Sequence, residues 1–287
     1  MDEKMIRTIL VPLAPNMVSA VALDAALSLA KRMNSHIRVV FMRPDAASVL
    51  SHLPTRIATT VTREAVEREH ATAAADQKAH FDAWVARHDI PVGQPDQRLD
   101  ACFATWLEVA GEIEPILTHY GRVSDLIVLS RFGRDDLQAQ RSFDTALFST
   151  GRPTLLVPGK TPWDMIDHVL IAWNGSLEAS HAVFGIMPLL HAAGRVSIFS
   201  VPTPENEQAT GAELVEALSW QGISVHQAIR PRAASSIEAA LLATAGNCGA
   251  TMIVMGAFTH SRWRQAFLGG VTRYVLAEAA IPVVMSH

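Results

Sequence analysis

The 287-residue chain has 24 Lys and Arg against 28 Asp and Glu, a formal net charge of −4, and two cysteines. The basic residues are scattered rather than clustered, which argues against a nucleic-acid or membrane-surface role, and Cys102 and Cys248, one in each half, make no disulfide framework and fit a reducing compartment. At roughly 150 residues per domain the length suggests two domains, each with room for its own core.

In chain order, residues 7–12 (RTILVP) read as a buried strand, 18–32 as an alanine-rich helix and 37–42 as a second strand. Residues 61–88 lack proline and glycine and alternate alanine with Glu, Arg and Gln, which predicts one long helix. Asp24, Glu64 and Glu67 fall in helical stretches of exposed character and read as a solvated face. Strand signals follow at 125–130 and 153–158, and then a polar, proline-containing break at 159–163 marks the boundary between domains at 1–158 and 166–287. The second half answers with a strand at 168–173, a helix at 177–193, and strands at 195–201, 252–255 and 282–285. Thr210 with Glu213 and Ser235 with Glu238 each fit a capping box.

The strand runs are short, rich in Val, Ile and Leu, and unbroken by polar alternation, as parallel strands covered on both faces require. Alternation with helices means right-handed βαβ units. The fold class is α/β, two tandem doubly wound domains, with any ligand beyond the C-terminal strand ends at the switch in strand order. The halves repeat each other. Val128 falls on Val254 and Ser130 on Gly256, whereas Pro153 meets Pro282 only if the first copy is about three residues shorter in the intervening loop. In the second copy the apolar run 252–255 empties into Gly256, and a Gly269-Gly270 pair opens the helical stretch 271–279. A buried strand, glycines and a helix start offer backbone N–H groups and a positive dipole end to an anion, which suggests a phosphate cradle.

Two consecutive copies of this segment order resemble a tandem universal stress protein over nearly the whole chain. Residues 256–273 (GAFTHSRWRQAFLGGVTR) are similar to the family's ATP-binding signature, and residues 169–176 (VLIAWNGS) to its opening strand, which normally ends in an adenine-contacting Asp. The resemblance implies a five-stranded parallel sheet of order 3-2-1-4-5 in each domain. It further implies ATP or another adenine nucleotide, with no protein-bound metal, at a site of Ala172, Asn174, Val201, Met255, Gly256, Thr259, Gly269, Gly270, Val271 and Thr272. Gly256 and Gly269 hold the first and third glycine positions, where a phosphate can approach without meeting a Cβ. Thr259 stands at the second glycine position, and Gly270 replaces a hydroxyl residue, with the Thr272 hydroxyl two residues on. Asn174 stands at the Asp position, and Val201 matches the position whose backbone meets adenine. In the first domain Ala14 and Ser130 occupy the corresponding positions, the loop carries Arg134-Asp135-Asp136, and only Gly133 survives. One nucleotide per chain, in the second domain, is therefore expected.

Around that site, His260, Ser261, Arg262, Arg264 and Arg273 read either as a cationic rim or as a solvated loop. Trp173 and Trp263 stack on a base or pack in core or lid. The twelve histidines show no HExxH, no CxxC and no paired ligand spacing, so no metal is expected.

Three functional readings follow. The first is a non-enzymatic nucleotide-responsive stress module, in which occupancy alters association with a partner. The second is an ATP-hydrolysing enzyme, which needs a metal-holding carboxylate; residues 256–273 contain no Asp or Glu, so catalysis is not expected. The third is a ligand-free scaffold. The proline-led strands at 153–158 and 282–285 leave edges open for pairing, which implies an intra-chain pseudo-dimer and leaves room for a further homodimer. No apolar stretch approaches the roughly twenty residues that span a bilayer, and the acidic start followed by a strand shows no secretory signal, so a cytoplasmic protein without a membrane role is expected.

Overall fold

The computed structural model describes residues 5–15, 20–45, 62–94, 101–133, 135–159, 165–200, 211–229, 236–257 and 270–287. They divide into two compact units, Arg7–Thr150 and Gly151–His287, the latter taking in Met5 and Ile6 as well.

The first unit runs β1 (Thr8–Leu13), α1 (Ala20–Met33), β2 (His36–Arg43), α2 (Arg63–His88), β3 (Phe103–Ala110), α3 (Ile113–Arg122), β4 (Leu126–Ser130) and α4 (Leu137–Ser149). Its strands are parallel in the order β3-β2-β1-β4. β1 carries Ile9, Leu10 and Val11 in succession, all fully buried, which is why its sequence shows no polar alternation. The long helix is present as α2, opened by Thr62, whose hydroxyl accepts from the Ala65 N–H at 3.2 Å. It lays Val66, Ala74, Phe81 and Trp84 on the core. Asp24 does more than solvate a face, because its Oδ1 accepts from the Trp84 indole at 2.9 Å and ties α1 to α2.

The second unit comprises β5 (Thr154–Val157), β6 (His168–Trp173), α5 (Leu177–Gly185), α6 (Met187–Ala192), β7 (Arg195–Ser200), α7 (Ala212–Trp220), β8 (Val225–Ile229), α8 (Ile237–Cys248), β9 (Met252–Gly256), α9 (Gly270–Glu278) and β10 (Val283–Ser286). β8-β7-β6-β9-β10 form a parallel sheet, which is order 3-2-1-4-5 counted within this unit. β5 adds to β10 antiparallel, Leu156 opposite Val283 and Thr154 opposite Met285. By contacts the units divide at Thr150/Gly151, and β5 buries all four of its residues and pairs with the last strand.

Two local expectations are corrected. The single helix over 177–193 is two helices meeting at Ile186, with Pro188 in the first turn of the second, where its missing N–H costs nothing. The cap of α8 is Ser236, whose Oγ accepts from the Ala239 N–H at 3.2 Å; Ser235 and Thr210 lie outside the described residues, and α7 follows Gly211 with no side-chain cap.

His168, at the start of β6, is buried and fully paired. Its Nδ1 donates to the Cys248 carbonyl at 3.0 Å and its Nε2 accepts from the Ser197 hydroxyl at 2.8 Å. Among the described residues no group of histidines, cysteines and carboxylates could hold a metal ion, and no helix is long and apolar enough to cross a membrane.

Candidate functional site

β6 is the pivot of the second sheet. One side pairs with β7 and the other with β9, so the strand order reverses between β6 and β9, the place where doubly wound sheets leave a crevice. Ala172 lies opposite Met255 at the C-terminal ends of these two strands, and Trp173 opposite Ser200 on the other side.

Past β6 the chain turns sharply into α5, and Asn-Gly-Ser is the chemistry of that turn. Asn174 Oδ1 accepts from the Ser176 N–H at 3.2 Å, Gly175 takes a φ of 73°, and Ser176 Oγ caps α5 by accepting from the Ala179 N–H at 3.1 Å. Ser176→Ala is expected to cost about 1 kcal/mol in urea unfolding by leaving an orphan helix donor. A change under about 0.3 kcal/mol would show that the cap contributes nothing.

Gly256 closes β9. A Cβ there would lie 2.5 Å from the Ala179 nitrogen and 2.7 Å from the Glu178 carbonyl carbon, so the first turn of α5 rests on this glycine. Packing alone requires glycine at this position, with no ligand involved. Gly270 differs: it is exposed, begins α9, and has nothing within 4 Å of the place a Cβ would take. Val271 is half-buried and Thr272 is buried on the core side of α9. Val201, Thr259, Gly269, the rim residues 260–262 and 264, and Trp263 lie outside the described residues.

The structure adds groups that no motif marks. His287 Nδ1 donates to the Ala257 carbonyl at 3.0 Å, and His181 Nδ1 on α5 reaches the His287 carbonyl at 3.4 Å, linking the ends of β9 and β10 to α5. Isolated histidines carry no spacing signal, and only the fold brings these two together.

The first unit shows why its corresponding position differs. Asp136 caps α4, its Oδ1 accepting from the Ala139 N–H at 3.0 Å, so a carboxylate of the chain already occupies the anion-attracting helix end. In the second unit α9 begins with a residue that has no side chain.

Residues 165–287 match the model of the Universal stress protein family. A universal stress protein from Archaeoglobus fulgidus is similar in fold over 98% of this chain and 96% of its own, with a TM-score of 0.73 and 17% identity. A functionally unknown protein from Pseudomonas aeruginosa is similar over 97% of this chain and 92% of its own, with a TM-score of 0.54 and 18% identity. A comparison with curated proteins gives no match. With the family match spanning β6 through β10, and these strands in the order 3-2-1-4-5 around a capped turn and a glycine-opened helix, residues 165–287 are a universal stress protein domain.

Proposed function

We propose that the second domain is a non-enzymatic module that binds one adenine nucleotide per chain, ATP or another, and that occupancy alters its association with a protein partner in the cytoplasm. The observation that carries this reading is the contrast between helix starts. α9 opens on Gly270, where an added Cβ would meet nothing within 4 Å, whereas the N-cap of α4 is Asp136, whose carboxylate accepts from the Ala139 N–H. The first N–H groups of a helix have no intrahelical partner and favour an anion. Hydrolysis is the second reading, and the lack of any carboxylate in residues 256–273 disfavours it, since phosphoryl transfer needs a metal held by one. A ligand-free scaffold is the third.

Calorimetric titration of the full chain with ATP is expected to give a stoichiometry near one. Gly270→Ser, which meets no neighbouring atom, returns a hydroxyl at the helix start and is expected to tighten binding about two- to tenfold, the equivalent of one hydrogen bond. Two equivalent sites per chain would overturn the assignment to the second domain, and no binding at millimolar ATP by either protein would leave the scaffold reading.

A further inference from the structure

We infer that the outer face of α4 is a contact surface for a second copy of this chain, the two α4 helices lying antiparallel across a twofold axis. The inference concerns the first unit and is independent of the nucleotide reading.

It starts from four side chains. Leu137, Arg141, Asp144 and Phe148 succeed one another at i, i+4, i+7 and i+11, which at about 100° per residue confines them to a strip about 60° wide along α4. Leu137 is 65% exposed and Phe148 37%, Arg141 is exposed, and Asp144 is half-buried. The rest of the helix holds it to its own unit through the buried Ala139, Phe143, Ala146 and Leu147. The strip therefore faces outward, with an apolar side chain at each end and a charge pair between.

Those two charges are unmet. Neither Arg141 nor Asp144 makes a hydrogen bond or an ion pair among the described residues. Burial pushes the Asp144 carboxyl above its usual range, and no neighbouring cation offsets the effect. Desolvating a carboxylate without a counter-charge is costly, so a surface that brings a cation to Asp144 recovers that cost.

The order of the four residues names the occupant. Apolar, cationic, anionic, apolar is its own complement when read in reverse. In an antiparallel pair with its axis between Ser142 and Phe143, Leu137 lies level with the partner's Phe148 and Arg141 with the partner's Asp144, and the twofold repeats both contacts. A parallel pair would instead set Arg141 against Arg141 and Asp144 against Asp144. Complementarity under reversal is what an isologous contact requires, and a different protein has no need of it.

The strip is also no remnant of the unit that both halves share. With Pro153 laid on Pro282, Arg141, Asp144 and Phe148 fall on Gly270, Arg273 and Ala277. The second copy thus has neither the charge pair nor the aromatic ring.

Four side chains per helix make a small interface, so the dimer is weak and the experiment needs concentrated protein. Sedimentation velocity of the full chain is run from about 5 to 500 µM, the range suited to an interface at the low end of size. The parent is compared with Arg141→Asp, which sets two carboxylates against each other at both contacts, and with Arg141→Asp combined with Asp144→Arg, which exchanges the charges and restores the pairing. The parent is expected to show a reversible monomer–dimer equilibrium. Arg141→Asp should raise its dissociation constant by about tenfold or more, and the exchanged pair should return it to within about threefold of the parent. Leu137→Ser leaves every buried residue untouched and should weaken the dimer by about five- to tenfold. Urea unfolding of each variant checks that the monomer is intact. Should the exchanged pair fail that check, Arg141→Asp and Leu137→Ser decide. A parent that stays monomeric throughout overturns the inference, as does unaltered association of either Arg141→Asp or Leu137→Ser. A folded exchanged pair no tighter than Arg141→Asp overturns it too, because opposite charges at these positions then do not meet.

Discussion

Replacing Gly256 with alanine is expected to destabilise the Gly151–His287 unit by about 2–4 kcal/mol, whether or not nucleotide is present. The added methyl group would sit 2.5 Å from the Ala179 nitrogen and 2.7 Å from the Glu178 carbonyl carbon. Both are backbone atoms of the first turn of α5, so no side-chain rotation relieves the clash. The helix must move, and it is anchored by the Ser176 cap and by the buried Ala179, Ala182 and Val183. Forcing atoms into a close-packed contact of this kind costs about 1–3 kcal/mol and more when backbone must shift. Gly270→Ala is the control: with nothing within 4 Å of the new Cβ, it should change stability by no more than about 1 kcal/mol, in the stabilising direction because alanine loses less backbone freedom in a helix. Urea unfolding of both variants, with and without ATP, separates the two roles of glycine. Unchanged stability in Gly256→Ala together with lost binding would show that the ligand, and not α5, demands glycine there.

Acid is expected to weaken the Arg7–Thr150 unit through His36. Burial, with the Arg38 guanidinium adding to it, pushes the His36 pKa from 6.5 down to about 4. The ring lies stacked on Phe103, centroids 4.4 Å apart, and shares a 2.7 Å hydrogen bond with the buried Thr105 hydroxyl. Because the folded value is lower than the unfolded one, the unfolded chain takes up a proton first as the pH falls. The stability that depends on neutral His36 is complete above about pH 6.5, drains away between there and about pH 4, and is gone below. The full shift corresponds to about 3 kcal/mol, and since the ring is only part-buried we expect about 2 kcal/mol. His168, also held below the usual histidine value first by burial, acts in the same direction in the other unit. Carboxylates titrate over part of this range, so the measurement is a difference: unfolding free energies of the parent and His36→Gln between pH 7.5 and pH 4. The glutamine variant, whose amide can still bond Thr105, should lose less stability on acidification than the parent. Parallel curves would show that His36 is not the titrating group.

The buried strands of the second domain and the long helix α2 were legible in the sequence, whereas the strand order came only from the family resemblance. The first two depend on residues close in the chain: unbroken Val, Ile and Leu runs for doubly covered strands and a stretch free of proline and glycine for α2. The break between α5 and α6 was legible too, since Pro188 is a visible signal that helical periodicity overrode. Less accessible was the choice between Ser235 and Ser236 as the cap of α8, because adjacent hydroxyl residues compete for one backbone geometry and composition does not rank them.

Glycine and histidine show the division most clearly. Sequence by itself determined that residue 256 is a glycine ending a buried strand, and that the chain repeats an α/β unit whose second copy keeps Gly256, Gly269 and Gly270 where the first keeps only Gly133. Only the tertiary structure decided what the glycine accommodates, namely the backbone of α5 arriving from residues 178 and 179. In the same way it placed β5 on β10 and brought His181 to His287. The physical reason is common to all three. Strand and turn chemistry is written in neighbouring residues, whereas close approach and charge occupancy depend on groups that meet across tens of positions, and those meetings exist only once the sheet has set its order.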